Sequence, residues 1–220
     1  MTTSKTNPNN PRIHILHVRD MVLIAMLAAV AVVLMLFEFP IPFLAPGFYE
    51  LDFSEVPVLI GTFAMGPMAG VAIEFLKILL NLLINGTATA YVGEIANFLV
   101  GCAYIIPAGL IYQHKKSKKS AWIGMAVGSV VMVVAGCFMN GLVLLPWYAE
   151  NFFGSAGGMD VILQAGAAIH PSIGTVTGFV LLCVAPFNIF KCILVSLITA
   201  FLYKRVSVVI HAFQADKGRR

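Results

Sequence analysis

The chain has 220 residues, of which 60% are hydrophobic and only 11% are charged, and its formal net charge is +4. Soluble domains carry about 25% charged residues, so this composition excludes an ordinary soluble protein and favours one that crosses a membrane several times. The net positive charge follows from the two ends and one central patch, which favours contact with anionic lipid headgroups over nucleic-acid binding.

The positions of the basic residues indicate which segments lie on the same side of the membrane. Of the 14 Lys and Arg residues, all but two lie in the N-terminal tail, in the patch at 115–119 or beyond residue 203. Positive charge collects in cytoplasmic segments, so these three segments are predicted to be cytoplasmic. The two exceptions, Lys77 and Lys191, lie inside apolar stretches and are therefore candidates for a functional site.

The apolar stretches predict an all-α membrane protein with six transmembrane helices and both termini cytoplasmic. Turn signals at Gly66-Pro67 and Asn85-Gly86 divide the long central stretch. The first central piece would be only ~18 Å long, too short for a ~30 Å hydrocarbon core, so its neighbours must shield it. Four spans are the alternative. The predicted helices are 21–37, 55–66, 68–84, 91–112, 121–145 and 186–203. These helices predict that the chain consists of a polar tail (1–20), a transmembrane domain (21–206) and a basic tail (207–220).

Polar residues inside the predicted helices mark a candidate binding site, because each costs free energy in lipid unless it is paired. They are expected at similar depths, which predicts one water-accessible cavity open to the outside. The alternative for the pairs Glu74/Lys77 and Glu94/Asn97 is simple mutual neutralisation. Three others have no obvious local partner, and asparagine amides suit a planar ligand edge that alternates N–H and C=O. These three are Asn140, Asn188 and Lys191.

The loop after the first predicted helix is aromatic and rich in proline over residues 37–49. Proline blocks continued helix, so the segment is predicted to be stiff and extended. It would form either an interfacial aromatic belt or a lid that covers a flat ligand. The absence of charge from Phe39 to Tyr49 favours the lid.

A set of short motifs, in order along residues 20–206, resembles the riboflavin-specific substrate-binding (S) components of energy-coupling factor (ECF) transporters. The combination is specific although each motif is short. The motifs are FPIPFL (39–44), DFSEVP (52–57), GPMAG (66–70), GEIANF (93–98), MN (139–140) with PWY (146–148), and PFNIFK (186–191).

The resemblance implies a six-helix fold in a bacterial cell membrane that captures riboflavin from outside. It also implies a membrane coupling (T) subunit and two cytoplasmic ATPases as partners, with riboflavin as transported ligand and no cofactor or metal. Helix one carries a small-residue stripe, and the family uses such an alanine motif for docking, which implies this role for Ala25 and Ala29. The residues implied to bind substrate are Asn140, Asn188, Lys191, Phe43, Leu44, Ala45, Asn97 and Glu94.

The sequence has no phosphate-binding loop and no recognisable catalytic set, so it is not predicted to be an enzyme or to hydrolyse ATP itself. The rival interpretation is a self-sufficient ion-coupled secondary transporter of a small planar solute, with Glu74, Lys77 and Glu94 carrying protons or ions. Such carriers often show an inverted repeat, which is not detectable in this sequence.

Overall fold

The structure is a computed structural model that describes residues 18–215, with backbone only at Ala156 and at residues 204–215. Residues 1–17 and 216–220, which make up most of the predicted polar tail (1–20) and the end of the predicted basic tail (207–220), lie outside the described residues. The described chain forms nine α-helices, a short 3-10 helix at Gly154–Ala156 and one two-residue β-hairpin. The helices are α1 Val18–Met35, α2 Glu55–Met65, α3 Pro67–Asn85, α4 Val92–His114, α5 Lys118–Met139, α6 Leu145–Asn151, α7 Met159–Ala167, α8 Val176–Phe179 and α9 Ala185–Ala215.

Two long helices are each assembled from shorter pieces joined by a π-helical turn. The segment Asn140–Leu144 joins α5 to α6, and Val180–Val184 joins α8 to α9. The predictions that one helix ends at Leu145 and another begins at Pro186 are therefore wrong. Each proline stands in the first turn after a π segment, where its missing N–H is tolerated and the helix continues.

Five helices in the described part of the chain are long and apolar enough to cross a membrane: Val18–Met35, Pro67–Asn85, Val92–His114, Lys118–Asn151 and Val176–Tyr203. The all-α membrane fold is thus confirmed. The remaining apolar helix, α2, has 11 residues, and everything from Glu55 to Phe63 is buried. It packs against α1, α3, α4 and α9, which confirms the prediction that its neighbours shield it.

The turns between the first helices follow the predicted signals. Gly66 adopts φ +108°, a conformation that glycine reaches without strain, and Pro67 opens α3 directly after it. Successive helices therefore run in opposite directions. We call the end of the bundle that carries residues 36–54 the loop end, and the end that carries Lys115–Lys119 the lysine end.

Small residues bring α4 and α5 into close contact. A Cβ atom at Gly124 would lie 2.7 Å from the carbonyl oxygen of Ala108, so only glycine fits there. Gly128 lies in the same way against Tyr104. In lipid such close backbone approach stabilises helix pairs, and these two glycines therefore serve packing within the chain.

The loop end holds a second apolar cluster, separate from the one around α2. The loop forms a short antiparallel pair between β1 (Phe39–Pro40) and β2 (Glu50–Leu51). Its buried side chains join residues of the long helices and of α7. The cluster comprises Ile41, Ala45, Leu51, Leu145, Ala149, Ile162, Ile173, Phe179, Val180, Cys183, Val184 and Phe187. The loop is therefore packed onto the bundle.

Candidate substrate-binding site

Two predicted site residues, Asn140 and Asn188, come together around Gly136 of α5. Asn140 Nδ2 donates to the carbonyl oxygen of Gly136 at 2.8 Å. A Cβ atom on Gly136 would lie only 3.1 Å from Asn188 Nδ2, so the glycine lets the α9 amide lie against α5. Both asparagines are buried where α5 and α9 approach each other, which makes this region the candidate site.

Each of these asparagines also lies beside a π segment. Asn140 is the first residue of the segment Asn140–Leu144, and Asn188 Nδ2 donates to the carbonyl oxygen of Val184, the last residue of the other segment, at 2.9 Å. π turns are rare in proteins overall but common at functional sites. Their presence on both helices therefore marks this region as a candidate site. The expectation that both asparagines lack a local partner is wrong, since each binds a carbonyl four residues earlier.

The aromatic loop reaches the asparagines through Tyr49. Its hydroxyl donates to Asn140 Oδ1 at 2.6 Å, a contact that the sequence did not predict. An asparagine amide has two N–H donors and two acceptor lone pairs. The bonds to Gly136 and Tyr49 use one of each, so Asn140 keeps one donor and one acceptor for a further partner.

Aromatic rings of the loop lie over the helices at this end. Phe48 stacks on Phe179, with ring centroids 6.4 Å apart, and meets Tyr148 edge-on at 6.3 Å. Tyr49 lies 5.7 Å from Phe187. Aromatic rings therefore gather at the end of the bundle that holds Asn140, and such rings can stack on a planar aromatic ligand.

The predicted loop residues differ in placement. Ala45 is fully buried in the loop-end cluster, and Leu44 is partly buried against it. Phe43 is 73% exposed. The backbone turns here, because the N–H groups of Leu44 and Ala45 both donate to the carbonyl oxygen of Ile41. The turn faces Ala45 inward and leaves Phe43 outside, and the ligand-covering role of all three stays a prediction.

Lys191 ties α9 to the end of the loop. Its Nζ lies 2.8 Å from Asp52 Oδ2, and both side chains are buried, so the expectation that Lys191 lacks a partner is wrong. Burial raises the pKa of Asp52, but the ammonium groups of Lys191 and Lys77 and the N–H of Ser54 outweigh it and hold that pKa well below its usual range. Lys191 follows Asn188 by one helical turn, on the same face.

Glu74 and Lys77 form a closed ion cluster with Glu55, the first residue of α2. Lys77 Nζ lies 2.8 Å from Glu55 Oε1 and 2.8 Å from Glu74 Oε1, and the side chains are 0–1% exposed. The expectation that Glu74 and Lys77 line a water-accessible cavity is therefore wrong, and their mutual neutralisation is confirmed. Within the described residues, no group of His, Cys, Asp or Glu could hold a metal ion.

Glu94 and Asn97 lie in the first turns of α4 and are both partly buried. Glu94 accepts a hydrogen bond from Thr89 Oγ1 at 2.7 Å, so its partner is the connection before α4 and not Asn97. Ala90 and Tyr91 begin this helix with φ +46° and +71°, which is uncommon for residues other than glycine. Since α4 contacts the π segment at 140–144, both predicted residues belong to the loop end of the bundle.

The alanine stripe of α1 is divided between two faces. Ala28 and Val32 are buried, Ala28 in the core around α2, whereas Ala25 and Ala29 are exposed. The stripe expected from the sequence comprised Ala25, Ala28, Ala29 and Val32, and the expectation that it forms one docking face is wrong for Ala28 and Val32. Ala25 and Ala29 remain accessible to a partner helix.

Three carboxylates gather where the loop closes. Glu38 precedes β1, Glu50 lies on β2 and Asp52 follows it. Loss of hydration and the neighbouring charges of Glu50 and Asp52 raise the pKa of Glu38 from about 4.5 to about 7. Ionised Glu38 therefore repels the opposite strand of the hairpin.

This cluster predicts that the packed loop is favoured at low pH. Because the pKa of Glu38 is higher with the loop packed than in open water, the packed form binds more protons between pH 4.5 and 7, and its advantage is lost as pH rises through 7. We expect ligand release to accelerate a few fold between pH 5 and 8. Stopped-flow release should show this dependence in the wild type and in Glu150→Gln, and a flat profile in Glu38→Gln. An unchanged profile in Glu38→Gln would contradict the assignment.

Comparison with known proteins places the whole bundle in one family. The family described as "ECF transporter, substrate-specific component" matches residues 19–203. Riboflavin transporter RibU of Staphylococcus aureus is 36% identical over 191 residues, covering 86% of this chain and 90% of the relative. Riboflavin transporter FmnP of Bacillus subtilis is 30% identical, covering 84% and 90%. A solved S component of a bacterial ECF transporter superposes with a TM-score of 0.66 at 35% identity, covering 87% and 97%.

These matches settle the class of protein. They confirm the resemblance read from the sequence motifs, and with it a multi-pass protein of the bacterial cell membrane that binds substrate and is not an enzyme. The fold also agrees with that of ThiT from Listeria monocytogenes, with a TM-score of 0.61 at 17% identity. The chain belongs to the substrate-specific components of ECF transporters.

Proposed function

We propose that this protein binds riboflavin at the loop end and delivers it inward when coupled to partner ATPases. The observation that carries the proposal is that the buried amides of Asn140 and Asn188 both lie against Gly136, and that Tyr49 of the aromatic loop binds Asn140. The relatives named as riboflavin transporters, at 30–36% identity over most of the chain, support the choice of ligand.

The chemistry of riboflavin fits this arrangement. Its ring system is flat and has one polar edge on which N–H and C=O groups alternate, and asparagine amides can pair with such an edge. Lys191, one turn from Asn188, would meet a flavin carbonyl. The ligand would be covered on the side of the loop by Phe43, Leu44 and Ala45. On the side of α4, the site would be lined by Glu94 and Asn97.

The proposed topology has six transmembrane helices, with α2 as the short one, and both termini in the cytoplasm. The lysine end then faces the cytoplasm and the loop end faces outside. The proposed partners are a membrane coupling subunit, which would dock at Ala25 and Ala29, and two cytoplasmic ATPases. Because the ATPases would supply the energy for transport, the purified chain alone in liposomes should not accumulate riboflavin when an ion gradient is imposed. Concentrative uptake by the chain alone would instead favour a secondary transporter.

Flavin binding tests the proposal directly. The protein purified in detergent should quench riboflavin fluorescence in a saturable titration, and protein from cells grown with riboflavin should carry the yellow absorbance of a flavin. Lumiflavin, which keeps the isoalloxazine ring and has a methyl group in place of the ribityl chain, tests whether the ring provides the main contacts. A titration with no saturable quenching would overturn the assignment of the ligand.

Replacing Asn140 or Asn188 by alanine should weaken riboflavin binding by about 5- to 150-fold, since a buried hydrogen bond contributes about 1–3 kcal/mol when its partner is left unpaired. The matched control is Asn151→Ala. Asn151 makes the same bond to a carbonyl four residues earlier, Trp147, but is exposed at the end of α6. Fluorescence titration measures all three. Equal affinities in the wild type and both site variants would remove these asparagines from the site.

A further inference from the structure

An apolar groove runs along the outer surface of the bundle between α5 and α9. It has a volume of about 450 Å³, and its lining side chains are almost all apolar. Several are strongly exposed, among them Val130 at 64% and Ile193 at 52%. In a membrane-spanning bundle such a surface faces lipid. The groove is lined by Trp122, Met125, Ala126, Ser129, Val130, Val133, Val134, Ile189, Cys192, Ile193, Ser196 and Leu197.

The groove offers an occupant few polar partners, and its two helices converge toward the loop end. Its two serines already have partners, because Ser129 Oγ donates to the carbonyl oxygen of Met125 and Ser196 bonds Tyr104 at 2.7 Å. Toward the loop end, the close contact of Asn188 with Gly136 brings α5 and α9 together. The groove therefore offers its occupant an apolar surface, and Trp122 is its α5 residue nearest the lysine end.

Two lysines precede Trp122 on the face of α5 that lines the groove. Lys118 and Lys119 precede Trp122 by four and three residues, so all three lie on one side of the helix. Both lysines are exposed. A cationic site is thus continuous with the groove, and a molecule with one anionic group and one long apolar chain would satisfy both.

We propose that the groove binds one anionic phospholipid, with an acyl chain between α5 and α9 and the phosphate at Lys118 and Lys119. From Trp122 to Val134 the groove extends over ~18 Å of helix, close to the ~15 Å of one leaflet. Lysines near a membrane surface attract anionic headgroups. In the proposed orientation this lipid belongs to the cytoplasmic leaflet. It is a site distinct from that for riboflavin.

Native mass spectrometry of the wild-type protein tests the proposal without any substitution. The protein is released from detergent in the presence of phosphatidylglycerol or phosphatidylcholine with identical acyl chains. We expect one retained phosphatidylglycerol per protein, and retention of phosphatidylcholine about 25-fold weaker, given about fivefold (about 1 kcal/mol) for each of two lysines. Equal retention of the two lipids would overturn the proposal.

Matched variants then locate the site. Ala126→Trp or Val130→Phe should fill the groove and abolish retention, whereas Val127→Trp, on the exposed side of α5 outside the groove, should not. Lys118→Gln with Lys119→Gln should lower retention about 25-fold, again at about fivefold per lysine. The matched control is Lys115→Gln with Lys116→Gln, which removes the same amount of charge from residues that precede α5. Melting temperatures verify that each variant is folded.

Three results of these variants would overturn the proposal. If the two lysine pairs lower retention equally, the attraction is general and no site exists. If both groove-filling variants retain phosphatidylglycerol as the wild type does, the lipid lies elsewhere. If they retain it but no longer co-purify with the coupling subunit, the groove docks a protein helix and not a lipid.

Discussion

Replacing Lys77 with methionine is expected to lower the free energy of unfolding by about 3–5 kcal/mol, the usual penalty for removing one partner from a buried ion cluster. Lys77 is fully buried and lies 2.8 Å from a carboxylate oxygen of both Glu55 and Glu74. Without it, two adjacent carboxyl groups remain in a region that water does not reach. The measurement is thermal unfolding in detergent, followed by the fluorescence of Trp122 and Trp147.

Two comparisons separate the loss of charge pairing from the loss of packing. Lys116→Met removes an exposed lysine and should melt as the wild type does. The triple variant with Glu55→Gln, Glu74→Gln and Lys77→Met removes every charge of the cluster, and should recover much of the lost stability because no unpaired ion is left. If single and triple variants melt at the same temperature, lost packing explains the effect and the ion cluster does not.

Replacing Ala25 or Ala29 with tryptophan is expected to stop transport while leaving riboflavin binding by the isolated protein intact. Both alanines are exposed one turn apart on α1, where a smooth surface permits close approach of a second helix. A bulky ring prevents that approach, and a loss of only about 1.4 kcal/mol lowers complex formation tenfold. The measurements are riboflavin uptake by the complete transporter and fluorescence titration of the purified chain.

The control for this face lies on the same helix. Met26 and Val30 are 59% and 52% exposed, and each is displaced by about 100° from its alanine neighbour. Met26→Trp and Val30→Trp should therefore transport normally. Binding that fails together with transport in the alanine variants would identify the face as internal packing, and loss of transport in the control variants would show that α1 docks through a different face.

Much of the fold could be predicted because membrane physics constrains it strongly. Helix α2 shows this most clearly, since a segment of its length cannot cross the hydrocarbon core alone and must be enclosed by longer helices. The turns at Gly66 and Gly86 could be predicted because glycine reaches positive φ without strain. Both residues adopt positive φ in the structure. By contrast, Pro146 and Pro186 misled the assignment of helix ends, because a π turn before each proline absorbs the irregularity and leaves the helix continuous.

The partners of the site residues could not be predicted, because they come from distant parts of the chain. Lys191 and Asp52 are 139 residues apart, and Tyr49 and Asn140 are 91 apart. No local periodicity encodes such pairs. One signal was available for Glu55 and Asp52, since Glu55 is the first residue of the apolar helix α2 and Asp52 lies three residues before it. Pairing these two acidic residues with Lys77 and Lys191 would have given each buried lysine a carboxylate partner.

The ion cluster also constrains how the chain can enter the membrane during its synthesis. A charged residue at the centre of an inserting helix costs about 2.5–3.5 kcal/mol, and α3 has two. Helix α2 is too short to insert by itself. Glu55 and Lys77 are equally distant from Gly66 along the chain, so folding at this turn pairs them. Helices α2 and α3 are therefore expected to leave the translocon as one hairpin in which Lys77 is already paired, and not as two successive spans.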